Sequence, residues 1–211
     1  FTDEVEIDGG IGIVKNNYSV ARVNHDFAKS RSSLGGLFVN RNGIGISDDY
    51  NSVFALDGKL GLGKKAQITG YISKSTTPGI KGREHAFKIL AVYNWNGWNL
   101  RAGYTEVGEG FNPEVGFLQR SAFKKPEFLI FKQWRPNNTG KFLEVRPHVS
   151  YRGYWNFNNT QETGFLHIDN HWVWESGFEI HTGINFTKET VLEAFPISLV
   201  TIDPGIYDHK E

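Results

Sequence analysis

A chain of 211 residues with 24 Gly, 7 Pro and 14% aromatic residues has the size and composition of one large all-β domain. Its 23 Lys and Arg balance 23 Asp and Glu, so there is no basic field for nucleic acid, which is excluded from the expected partners, and no acidic tail for a basic one. The absence of Cys excludes disulfides and thiolate chemistry, and no run of about 18 apolar residues suggests a transmembrane helix.

In chain order, Gly9 to Val14 reads as the tail of a strand and Tyr18 to Phe27 as a second. The short polar turn Lys29 to Ser32 then leads to a strand from Leu34 to Asn40. A longer Gly-rich connection, Arg41 to Asp49, follows. From Val53 to Leu62 the residues Phe54, Leu56, Leu60 and Leu62 alternate with Val53, Ala55, Asp57 and Lys59, the period-two pattern of a strand with unlike sides. Gly63-Lys64-Lys65 turns the chain into a strand from Ala66 to Ser75, and the loop Thr76 to Arg83 leads on to Phe87 to Trp95. Asn96-Gly97 joins that strand to Trp98 to Thr105. Both central residues of such a two-residue turn need positive φ, which Asn and Gly tolerate best.

After the loop Glu106 to Arg120 come strands at Phe123 to Trp134, Lys141 to Trp155, Gln161 to Trp174 and Phe178 to Thr187. From Glu189 to Glu211 no strand is evident. Parity assigns Leu100, Leu143, Ile168 and Ile184 to one face, and Arg101, Arg146, His167 and Asn185 to the other.

Alternation alone does not say which face is wet, but three further features do. The strands are about 10 or more residues long, near what a tilted strand needs to cross a bilayer. Short and long connections mostly alternate, as periplasmic turns and extracellular loops do. Five of the six Trp (Trp95, Trp98, Trp134, Trp172 and Trp174) lie in or near the short-turn ends, where an aromatic girdle sits, while Trp155 lies at the opposite end. The expected fold is an all-β antiparallel up-and-down transmembrane β-barrel of about ten strands, with residues 1–211 part of one barrel domain. Lacking Met and beginning at Phe1, the chain is expected to be a fragment or processed piece. Its unpaired edges would be met by the remainder of the barrel or another chain, within the lipid bilayer.

The competing architecture is a soluble β-sandwich or lipocalin-like barrel. Lys124 and Lys132 favour it, because their parity with Phe128, Ile130 and Trp134 aims them at lipid. Both lie near strand ends, where a long side chain can snorkel.

The string Phe111-Asn112-Pro113-Glu114-Val115-Gly116-Phe117, with Arg120 just beyond, stands out together with Tyr18-Ser19-Val20-Ala21-Arg22-Val23 and Ser75-Thr76-Thr77-Pro78-Gly79. These stretches resemble the barrel portion of a bacterial family of unknown function. Its members join an amino-terminal module similar to family-nine carbohydrate-binding modules to a carboxy-terminal outer-membrane-type barrel. The likeness covers nearly all of Phe1 to His209. It implies the bacterial outer membrane as the location, and glycans as partners only through a module this chain lacks.

Hairpin pairing across Glu175-Ser176-Gly177 sets His171 opposite His181 on the polar face, with His167 and Asp169 on the same side of one strand. Imidazole and carboxylate are suitable ligands for a divalent metal. The simpler reading is a hydrated lumen lined by titratable groups and continued by His148, Arg146, Arg152 and Glu179. No metal, cofactor or catalytic residue is assigned on it. Gly61-Leu62-Gly63-Lys64-Lys65 lacks the spacing and following helix of a phosphate loop. No Ser-His-Asp order, paired-carboxylate motif or His-Glu-x-x-His appears, so no enzyme activity is expected. The sequons at Asn17, Asn137, Asn158 and Asn185 are given no role.

The loop Glu106 to Arg120 is expected to be ordered, because Phe111, Val115, Phe117 and Leu118 are too apolar for a freely solvated tether. Phe111 and Phe117 are expected to pack against the barrel mouth or fold inward to narrow it, with Asn112-Pro113 favouring a turn and Glu114 and Arg120 meeting the polar lumen wall; the simpler version is a structural loop that packs on neighbouring loops and gates nothing. The expected function is a pore, a transport conduit or a membrane scaffold for a carbohydrate-binding module. The alternative is a soluble β-domain binding carbohydrate in a glycan-degrading protein.

Overall fold

The computed structural model describes Thr2 and residues 14–136 and 142–211. The alternating segments become ten long strands: β1 (Asn16–Phe27), β2 (Ser32–Gly43), β3 (Tyr50–Leu62), β4 (Ala66–Thr76), β5 (His85–Trp95), β6 (Trp98–Val107), β7 (Phe123–Lys132), β8 (Phe142–Trp155), β9 (Gln161–Trp174) and β10 (Glu179–Val191). Two short strands, β11 (Phe195–Ile197) and β12 (Val200–Ile202), pair with each other, and β13 (Gly205–Lys210) pairs with β10. The expectation of no strand beyond Glu189 is thereby corrected. In β13 the apolar Ile206 and Tyr207 are adjacent rather than alternating, so period-two reading passes over it.

The main sheet has eleven strands and runs from β1 to β10 in chain order, ending with β13. The meander is antiparallel, and among the described residues no pairing joins β1 to β13 to close it into a barrel. At the turn between β5 and β6, Asn96 has φ 47° and Gly97 φ 77°, the positive values a two-residue hairpin turn requires. The expected strand tail at Gly9 to Val14 lies outside the described residues except for Val14, which is not in a strand.

The chain divides into two units. The first comprises Phe1–Gly61, Thr69–Ile89 and Thr105–Phe123. Within it Ala21 pairs with Phe38 and Phe38 with Phe54, so these residues share one face. The next row on that face is Val23, Gly36 and Leu56. Val23 is 74% exposed, Phe54 58% and Leu56 60%. The opposite face carries Tyr18, Arg41 and Asn51 in one row and Asn24, Gly35 and Asp57 in another. Gly35 matters there, because a Cβ at that position would lie 2.6 Å from Arg22 Nη2, where the guanidinium passes to reach Asp57.

The second unit comprises Leu62–Ile68, Leu90–Tyr104 and Lys124–Glu211. Ile130, Val149, Ile168 and Ile184 form one continuous apolar row across β7 to β10. Each sits directly opposite the next, the register that lets cross-strand pairs interact. One row interrupts that face: Pro147, Asn170 and Thr182 lie opposite one another, and Asn170 Oδ1 is buried without a hydrogen-bond partner among the described residues.

The two lysines that parity aims at the apolar face do turn toward strand ends. Lys132 Nζ donates to the Asn96 carbonyl oxygen at 2.7 Å and lies 4.9 Å from the centre of the Trp98 ring. Lys124 Nζ donates to Asn159 Oδ1 at 3.3 Å, beside Phe157. Each amine thus reaches a polar acceptor in a turn, as a snorkelling side chain does.

Candidate functional site

The polar face of the second unit gathers the titratable groups into one cluster. The register puts His171 opposite both Arg146 and His181, Asp169 opposite both His148 and Gly183, and His167 opposite both Ser150 and Asn185. All the residues expected to form the polar lumen cluster, His148, His167, Asp169, His171 and His181, are brought together. They come from three adjacent strands because period-two spacing along each strand keeps them on one side, and antiparallel register stacks the rows.

His148 Nε2 lies 3.2 Å from His167 Nε2, 3.9 Å from Asp169 Oδ2, and His167 Nε2 lies 3.8 Å from the same oxygen. His171 Nε2 is 3.0 Å from Asp169 Oδ2, and its ring stacks on His181 with centroids 3.8 Å apart. Glu179 Oε1 meets His181 Nε2 at 2.9 Å and also meets Arg146. The His148, His167 and Asp169 side chains are 15%, 26% and 11% exposed. His148 and His167 open onto a groove of about 530 Å³ that Arg101, Glu127, Ser150 and Arg152 also line.

The sequence pattern does not foretell the outer partners of these rings. His148 Nδ1 faces the Arg146 carbonyl oxygen at 3.2 Å, and His167 Nδ1 faces Asn185 Oδ1 at 2.6 Å. Asn185 was legible as a polar-face residue, but its contact with His167 follows only from the β9–β10 register.

In the first unit the loop after β6 is held by strand side chains. Asn51 Nδ2 donates to the Asn112 carbonyl oxygen at 2.7 Å and to Thr77 Oγ1 at 2.8 Å. The Asn112 N–H donates to Ser75 Oγ at 2.9 Å. Glu114 Oε2 accepts from Arg41 Nε at 2.6 Å, while Arg41 Nη2 reaches Asp49 Oδ1 at 2.7 Å. The loop is thus tied to strand side chains, and Glu114 meets Arg41 of the polar face. Gly116 N–H returns to the Pro113 carbonyl oxygen at 2.9 Å, so the turn centres on Glu114 and Val115 and lies one step beyond the Asn112-Pro113 turn the sequence suggested.

Phe117 is a correction. It is 92% exposed just beyond the Pro113–Gly116 turn, so among the described residues it is not packed against the sheet, whereas Phe111 and Arg120 are half-buried. Sequence reasoning missed Arg41, Asn51 and Thr77 as anchors. A signal for Thr77 was present, since it lies in the Ser75-Thr76-Thr77-Pro78-Gly79 string that stood out beside Phe111 to Phe117, and the fold brings those two strings into contact.

No protein-family model, curated protein or solved structure matches the chain.

Proposed function

We propose that the chain forms part of an outer-membrane-type β-barrel of a bacterium, with the apolar face of the sheet toward lipid and the polar face lining an aqueous lumen. The observation that carries this reading is the placement of apolar side chains. Among the described residues only Val53, Ala86, Val107, Phe123 and Val145 are buried apolar groups, whereas Val23, Leu34, Phe54, Leu56, Ile72 and Leu143 are each more than half exposed. A soluble β-sandwich stabilises itself by burying such a face against a second sheet. A barrel wall leaves it to lipid.

The strand lengths of 10 to 14 residues in β1 to β10 suit a tilted span. The Lys65 and Lys132 amines over Trp95 and Trp98 suit an interfacial belt. Unpaired strand edges do not persist in hydrocarbon, so further strands, from the same polypeptide or another, complete the wall. The function of such a wall is a pore or transport conduit, or a scaffold for a carbohydrate-binding module of the kind found in the family the sequence resembles.

Detergent dependence tests the reading. The barrel fractionates with membranes and stays dispersed only in detergent, and it conducts ions when reconstituted into a bilayer. A monodisperse, folded protein in detergent-free buffer overturns the proposal in favour of a soluble carbohydrate-binding β-domain.

A further inference from the structure

The two outer contacts of the histidine pair fix their tautomers. A carbonyl oxygen only accepts, so His148 must carry its proton on Nδ1 to meet Arg146, and His167 does the same toward Asn185 Oδ1. In the neutral rings both Nε2 atoms then offer lone pairs, facing each other at 3.2 Å with Asp169 Oδ2 within 4 Å of each. Two imidazole lone pairs and a carboxylate oxygen converge, and the facing lone pairs repel unless a cation, a proton or a metal ion, lies between them. A point equidistant from the three atoms lies about 2.1 Å from each, the distance at which zinc binds imidazole nitrogen and carboxylate oxygen.

We propose that His148, His167 and Asp169 bind a divalent transition metal with borderline ligand preference, of the zinc or copper class, on the polar face of β8 and β9. Nitrogen and carboxylate donors favour such ions over calcium or magnesium, which take oxygen ligands. The Arg146 carbonyl, the Asn185 amide and His171, which lies 3.0 Å from Asp169 Oδ2, form the outer contacts that orient metal ligands. Asp169 Oδ1 is buried with no hydrogen-bond partner among the described residues, leaving the carboxylate a second oxygen to turn toward the ion. Gly183, opposite Asp169, leaves the carboxylate its space, since a Cβ there would lie 3.2 Å from Asp169 Cγ. The groove beside His148 and His167 gives the ion a route in, and leaves its fourth position open to water or a solute.

The site stands on the second unit alone and does not depend on whether lipid covers the other face. It is tested on the full chain, in detergent or buffer as its solubility demands, after chelator treatment. Titration with Zn²⁺ should give one tight site, weakened about 10- to 100-fold or more in His148→Ala, His167→Ala and Asp169→Asn and unchanged in His25→Ala, with retained β-sheet circular dichroism as the folding control. Unaltered zinc affinity in the folded His148→Ala/His167→Ala double variant overturns the proposal. The unmutated protein gives an independent reading through Co²⁺, which in a four-coordinate nitrogen and oxygen site shows intense visible d–d bands. A spectrum no different from aqueous cobalt means that the two rings hold no four-coordinate metal, and also overturns the proposal.

Discussion

The Asn51 side chain, 1% exposed, donates through Nδ2 to the carbonyl oxygen of Asn112, tying the middle of a long loop to a strand 61 positions earlier. Its Oδ1 also accepts the Glu114 N–H at 3.4 Å, so one amide satisfies both a loop donor and a loop acceptor. Asn51→Ala removes both contacts and leaves buried groups unpaired, which costs about 1–3 kcal/mol. Hydrogen exchange at Glu114 should accelerate markedly while amides in β9 stay protected. Unchanged exchange in the variant would show that the loop is held by other contacts.

Acid should weaken the same anchor. The hydrogen bond from Arg41 holds the Asp49 carboxyl below its usual range. The folded value therefore lies below the unfolded value of about 3.9, and the stability this contact contributes is present above that pH and lost as pH falls through the depressed value. Unfolding followed from about pH 5 downward should be steeper for the unmutated protein than for Asp49→Asn. Identical acid profiles would count against the contact.

The faces of the sheet make a paired prediction. Ile168, 44% exposed in the apolar row, and Thr187, on the polar face opposite Phe165, respond differently to a charge. In lipid, Ile168→Arg should cost about 2–4 kcal/mol and impair assembly, while Thr187→Arg is tolerated. Folding yield into lipid vesicles checks this. Equal yields would remove the lipid-facing assignment.

Asn170 interrupts the apolar face with an Oδ1 that is buried and, among the described residues, unpartnered. Replacing it with a leucine removes an unsatisfied acceptor, so Asn170→Leu should raise stability by about 1 kcal/mol or more. Thermal or denaturant unfolding decides it. A destabilised variant would count against the unsatisfied acceptor as a cost to the fold.

Much of this architecture is legible in the sequence because β-structure announces itself locally. The alternation of Phe54, Leu56, Leu60 and Leu62, the Asn96-Gly97 turn and the spacing of His167, Asp169 and His171 each depend on neighbours within a few residues. They determine strand, face and hairpin register, and the register alone sets His171 against His181. What only the tertiary structure decides lies between segments distant in the chain. The sequence holds no period that links Asn51 to Asn112, or that turns Phe117 outward while Glu114 reaches Arg41. Likewise, two histidines 19 positions apart read as polar-face residues. That their Nε2 lone pairs converge with Asp169 follows from side-chain rotamers fixed by the Arg146 carbonyl and the Asn185 amide, contacts that only the paired strands create.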